Sequence, residues 1–151
     1  MNSLFVALSA ALFVGCAAAV PLPARLTLGT PKHRVAPPSS VIAGYESVDF
    51  SVRVTNTSKQ PIWFYGQLRQ LPFYRLFIRP TASDRWTDRT MPGCGMGAEF
   101  HEIAPGASSA FTVFVPGRET GHQLRVELPV YESPNDNAKS LSITSDATPI
   151  K

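Results

Sequence analysis

The stretch Ser47-Val48-Asp49-Phe50-Ser51-Val52-Arg53-Val54 decides how this chain is to be read. Valine or phenylalanine fills every even position from 48 to 54, and a polar or charged residue fills every odd one. Side chains alternate across a strand, so this period of two describes a strand with one dry face and one wet face. Its end is marked by Thr55-Asn56-Thr57-Ser58-Lys59-Gln60-Pro61, residues whose side chains bond their own backbone and therefore favour turns. Asn56-Thr57-Ser58 also matches a glycosylation sequon, but the turn is the preferred reading.

The same alternation recurs toward the C-terminus. Ile62-Trp63-Phe64-Tyr65 predicts a strand closed by Gly66, and Phe73 to Arg79 a further one stopped by Pro80. On the latter, Leu76 and Ile78 share a face with Tyr74, while Arg75 and Arg79 share the other with Phe73 and Phe77. Asp84 to Asp88 reads as a short return strand, and Glu99 to Ile103 runs into a turn centred on Pro105-Gly106. Phe111, Val113 and Val115 mark the next strand. Leu124, Val126 and Leu128 alternate with Gln123, Arg125 and Glu127, and Pro129 is expected to cut that strand short or set its end at a sheet edge. Ser140 to Thr144 is the last strand, after a polar loop from Ser133 to Lys139.

Roughly seven or eight strands separated by turn signals, with no amphipathic helix after the leader, predict an all-β antiparallel sandwich, a closed barrel being the alternative. Fourteen prolines among 151 residues argue the same way, since each removes a donor that a helix interior needs. Trp63, Phe50, Phe77 and Phe111 are the expected core aromatics.

Toward the N-terminus the chain changes character. Leu4 to Val14 is apolar except for Ser9, small residues follow through Ala19, and the first charged side chain is Arg25. An apolar run of that length followed by small residues predicts a signal peptide over 1–19, although Met1-Asn2-Ser3 lacks the usual Lys or Arg. Ala17-Ala18-Ala19 fits ordinary cleavage before Val20. Phe13-Val14-Gly15-Cys16 resembles a bacterial lipobox, which implies cleavage before Cys16 and acylation of that residue. Residues 20–40 read as a Pro-rich tether or irregular edge, with one strand candidate at Arg25-Leu26-Thr27-Leu28, and 41–147 as the β-sandwich. The expected location is the cell envelope, either membrane-anchored as a lipoprotein or periplasmic or secreted.

Val52-x-Val54-Thr55-Asn56-x-Ser58-x-x-Pro61-Ile62, followed by Ile103-x-Pro105-Gly106-x-Ser108-x-x-Phe111-x-Val113, resembles bacterial extracytoplasmic immunoglobulin-like modules. It is similar, more loosely, to the sandwich of the intracellular proteinase inhibitor type. With Trp63-Phe64-x-Gly66, Trp86 and Gly93-Cys94-Gly95-x-Gly97 added, the chain resembles small exported bacterial proteins of unknown function over about residues 45–130. The likeness implies an immunoglobulin-like sandwich and carries no catalytic residue with it.

Composition narrows the chemistry. A net charge of +3, mixed evenly with carboxylates, is too small for a nucleic-acid footprint. Two cysteines and the scattered His33, His101 and His122 predict neither a metal site nor a cofactor. Asp84 and Asp88 flank Trp86 as a paired carboxylate would, but Arg85 and Arg89 alternate with them, which describes a charge-balanced surface ribbon. Cys94, in the loop Met91 to Gly97, reads first as a small buried filler. The alternatives are a disulfide-linked dimer through Cys94, or a reactive thiol tuned by His101 or Asp88.

Arginine outnumbers lysine ten to four, and Arg69, Arg75, Arg79, Arg85 and Arg89 are interleaved with Phe73, Tyr74, Phe77 and Trp86. Strand-borne arginines commonly lie over apolar surface with their heads in water, which is the first reading. Arginine and aromatics together are also enriched at protein interfaces, so Arg75, Arg79, Arg85, Trp86, Arg89 and Cys94 form the candidate partner-binding set. The chain is expected to be a non-catalytic binding or structural module of the bacterial envelope. Its partner would be an envelope protein or surface ligand, with a membrane reached through a lipid on Cys16. A protease-inhibitor-like sandwich and a thiol enzyme using Cys94 are the alternatives.

Overall fold

The computed structural model describes residues 22–36, 45–90, 96–135 and 139–151. The expected signal helix, Cys16 and Cys94 lie outside these residues. Within them the chain is all-β: β1 (Ala24–Leu28), β2 (Lys32–Val35), β3 (Glu46–Asn56), β4 (Ile62–Gly66), β5 (Arg75–Arg79), β6 (Thr87–Asp88), β7 (Glu99–Ile103), β8 (Ser108–Pro116), β9 (Gln123–Tyr131), β10 (Ser140–Thr144) and β11 (Thr148–Pro149). That is more strands than the turn signals predict, because β2 and β11 are too short to show a period. Among the described residues no helix is long and apolar enough to cross a membrane.

Two antiparallel sheets result. In the first, β3 lies at the centre, with β8 along one side and β1 and β2 sharing the other. In the second, β9 is the hub: β5 and then β4 run beside it, β10 and β11 pair with it as well, and β6 and β7 lie outside β5 and β4. Residues 24–35, expected to be tether or edge, are edge strands whose Ala24 and Leu26 reach the core. The C-terminal Ile150 is buried too, so the sheets and their core take in residues on both sides of the 41–147 stretch.

The core follows from alternation. Val48, Phe50, Val52 and Val54 of β3 face Leu124, Val126, Leu128 and Val130 of β9 in one cluster, together with Phe111, Val113 and Val115 of β8. Each fully buried side chain of this size contributes roughly 1.5–3 kcal/mol of hydrophobic stabilisation. Phe50 and Phe111 are buried as expected, but Trp63 and Phe77 are not: both are half-exposed, on the outer side of their strands. Their phase explains it. Ile62 and Phe64 of β4, and Leu76 and Ile78 of β5, are the buried pairs, and each large aromatic sits one residue out of step with them. Nor does Pro129 end its strand, for β9 continues to Tyr131 with Pro129 opposite Ser142 of β10.

The chain crosses between the sheets from β3 to β4 and again from β7 to β8, and Asn56 joins the two crossings. Its side-chain amide donates to the carbonyls of Gln60 (2.8 Å) and Ile103 (2.9 Å). Its side-chain oxygen accepts from the amide and the hydroxyl of Ser58. Its backbone bonds Ala107 and Gly106. Gly106 has φ of 74°, as the second central residue of a Pro-Gly turn requires. At 0% exposure, with its amide hydrogens engaged, Asn56 is a buried joint and no glycan acceptor in the folded state.

Two further contacts close the sheets. Tyr74 stacks on Phe111 at 5.7 Å and its hydroxyl bonds the backbone of Phe114, sealing part of the free margin of β8. Gly66 lets the chain double back, since a Cβ there would lie 2.6 Å from the Leu71 carbonyl oxygen and 2.7 Å from Pro72 Cα.

Candidate functional site

The outer face of the second sheet is built by register. Arg75, Phe77 and Arg79 of β5 lie opposite Glu127, Arg125 and Gln123 of β9, all pointing away from the core. Trp86, just ahead of β6, comes over the same surface. The result is an alternating ladder. The Arg75 guanidinium carbon is 5.1 Å from the Phe77 ring centre and that of Arg125 is 5.1 Å from the same ring. Arg125 is also 4.7 Å from the Trp86 ring, and Arg79 is 4.3 Å from it. Cation–ring contacts of this kind contribute about 0.5–1 kcal/mol each where water reaches them.

Charge along the ladder is uneven. Arg75 bonds Asp88 at 2.9 Å and lies 3.7 Å from Glu127. The hydroxyl and amide of Thr90, then Arg75, hold the Asp88 carboxyl down at about 2. Arg79 Nε donates to Gln123 Oε1 at 2.9 Å. Arg125 Nε is buried with no hydrogen-bond partner, and among the described residues Arg125 has no carboxylate partner.

Beside the ladder, on the same face, lies an aromatic patch. Tyr65 meets Phe73 at 5.7 Å and Phe100 at 4.9 Å, and Phe100 meets Tyr131 edge-on at 5.2 Å. All four rings are half-buried.

Of the expected partner-binding set, Arg75, Arg79 and Trp86 are brought together. Arg85 and Arg89 are exposed and stand outside the ladder, and Cys94 lies outside the described residues. Arg69, of the same arginine cluster in sequence, lines a cleft with Glu102 and Ser108. Phe77, expected in the core, is a rung of the ladder, and Arg125 is its centre. The wet-face alternation of Gln123, Arg125 and Glu127 is visible in sequence, but the pairing of β9 with β5 spans more than forty residues and no turn fixes its register.

The other chemical candidates are separate. His101 is buried against Phe64, 5.3 Å between rings, with its Nε2 3.2 Å from the Gly66 carbonyl oxygen. His122 pairs with the buried Glu119 at 2.8 Å, and His33 contacts the Lys151 carbonyl. Among the described residues no three His, Cys, Asp or Glu converge. Asp84 and Asp88 do not form a carboxylate pair, because Asp84 accepts from the amide and hydroxyl of Thr81 while Asp88 is held by Thr90 and Arg75.

No protein-family model matches the chain, and no curated protein does either. Solved structures do. The structural genomics target SoR45 is 12% identical, with a TM-score of 0.53 over 83% of this chain and 84% of its own. A Bordetella pertussis protein carrying a provisional ApaA name is 19% identical, with a TM-score of 0.50 over 83% of this chain and 92% of its own. At these identities the likeness is one of fold, and the class it defines is a small all-β protein of two antiparallel sheets.

Proposed function

We propose that this chain is an exported immunoglobulin-like β-sandwich that acts by binding, with the outer face of its seven-stranded sheet as the contact surface. It is not an enzyme on this reading. The leader supports export, with the chain tethered through Cys16 or released after Ala19. Two sheets joined by interlocked crossings, with Tyr74 bonded across to β8, support the immunoglobulin-like assignment. The observation that carries the binding role is the ladder itself. Three guanidinium groups are stacked over two rings on the solvent side of a sheet whose other side is the core. Aromatic and arginine side chains fixed in this way supply contact area with little further loss of conformational freedom.

Two measurements test this. The intact mass of the mature chain from a bacterial host should show a start at Cys16 with added acyl mass, or a start at Val20. A cytosolic chain that keeps Met1 overturns the export part. A photo-crosslinking amino acid placed at position 86 in intact cells should give a discrete adduct, and one at position 53, on the opposite sheet, should not. Equal labelling at both positions overturns the choice of face.

A further inference from the structure

We infer that this face recognises carboxylate groups on an extended acidic protein segment, anchored by Arg125 with Arg79 as the second cation; the inference rests on the binding role proposed above. The ladder is neutralised at one end only. Arg75 is satisfied by Asp88 and Glu127, whereas Arg125 and Arg79 meet no carboxylate among the described residues. Arg125 is held between the Phe77 and Trp86 rings, and its Nε is already out of water without a partner. A guanidinium fixed in this way has lost its rotamer freedom before any ligand arrives, and its terminal nitrogens offer the planar fork that matches a carboxylate.

The arrangement favours a protein segment over a lipid surface. Phe77 and Trp86 are half-buried and lie flat under guanidinium groups, so neither projects as an apolar tip into acyl chains. Arg125 and Arg79 instead share one ring, at 4.7 and 4.3 Å from its centre. An extended strand repeats its side chains on one face about every 6.6–6.8 Å, so acidic residues at alternate positions can reach both cations.

The probe is an octapeptide of alternating Glu and Thr, titrated into the full mature chain by calorimetry at low and at physiological salt. Binding should weaken with salt, and Arg125→Gln should weaken it about tenfold or more. Arg53→Gln removes the same charge from the opposite sheet and should change it less than about twofold. Should Arg125→Gln fail to give the parent circular-dichroism spectrum, Arg79→Gln serves in its place, with an expected loss of about fivefold. Equal losses in Arg53→Gln and Arg125→Gln would mean net charge alone and overturn the inference, as would no binding by the parent chain. Vesicles of phosphatidylglycerol and phosphatidylcholine in equal parts, bound in an Arg125-dependent way while the peptide is not, would also overturn it in favour of a membrane. A discrete adduct from position 86 together with an inert peptide leaves the binding face standing and removes only its acidic partner.

Discussion

Asn56 and Asp88 are the two polar residues whose surroundings make the sharpest demands. Asn56 bonds the carbonyls of Gln60 and Ile103 at once; without its amide the Ile103 carbonyl loses this donor, while the Gln60 carbonyl keeps only the Ser58 hydroxyl. Asn56→Ala should therefore cost about 3 kcal/mol, read as a shift of the urea midpoint with an unchanged slope. Asn56 was legible as a turn former; its role as a joint was not, because Ile103 lies 47 residues further along the chain. Asp88 makes a pH prediction. Its carboxyl, held at about 2 against an ordinary 3.8, favours the fold wherever it is ionised in the unfolded chain. That contribution is complete above about pH 4 and is lost as pH falls from about 4 to about 2. The carbonyl resonance of Asp88 should titrate near 2, and Thr90→Val should raise that midpoint. An ordinary midpoint in the parent chain would mean that the Thr90 and Arg75 contacts are not made.

At the scale of strands, the lesson lies in β4. Ile62-Trp63-Phe64-Tyr65 is apolar throughout, so composition alone favours Trp63, the largest side chain, for the interior. Period decides otherwise, because Phe64 is in step with Ile62 and packs against buried His101. Phe64→Ala should cost about 3–5 kcal/mol and Trp63→Ala no more than about 2 in chemical denaturation. The reverse order would contradict the assigned phase. Strands β3 and β9 were legible because alternation leaves one phase only, and β8 because Phe111, Val113 and Val115 share a phase even though Phe114 interrupts its wet face. The short β6 was half legible: Arg89 N–H bonds the Leu76 carbonyl, and beyond it the Thr90 hydroxyl takes the Leu76 N–H in place of a main-chain partner. Ser145 does the same for Val126 between β10 and β11. Side-chain oxygens that replace ladder partners leave no periodic trace in the sequence.

Across the whole molecule, the two sheets share a single core, and the C-terminus belongs to it. Ile150 is 1% exposed, and its backbone bonds Gly121 and His122. Ile150→Ala should cost about 2–4 kcal/mol and lower one cooperative melting transition without splitting it. Two transitions would show that the sheets unfold independently. The all-β class and two-sheet packing were open to a reader of the sequence. The ladder was open only in part: Arg75, Arg79 and Trp86 declare themselves by clustering, whereas Arg125 joins them through long-range register. One margin of the first sheet behaves differently. Strand β8 runs from Ser108 to Pro116 without a charged side chain, pairs only with β3 among the described residues, and relies on Tyr74 to cover part of its free side. When heat loosens Tyr74, that margin becomes a neutral template for the same strand of another molecule. The practical lifetime of this protein in a warm, concentrated solution will then be a rate of irreversible clumping, set by how often one ring lets go.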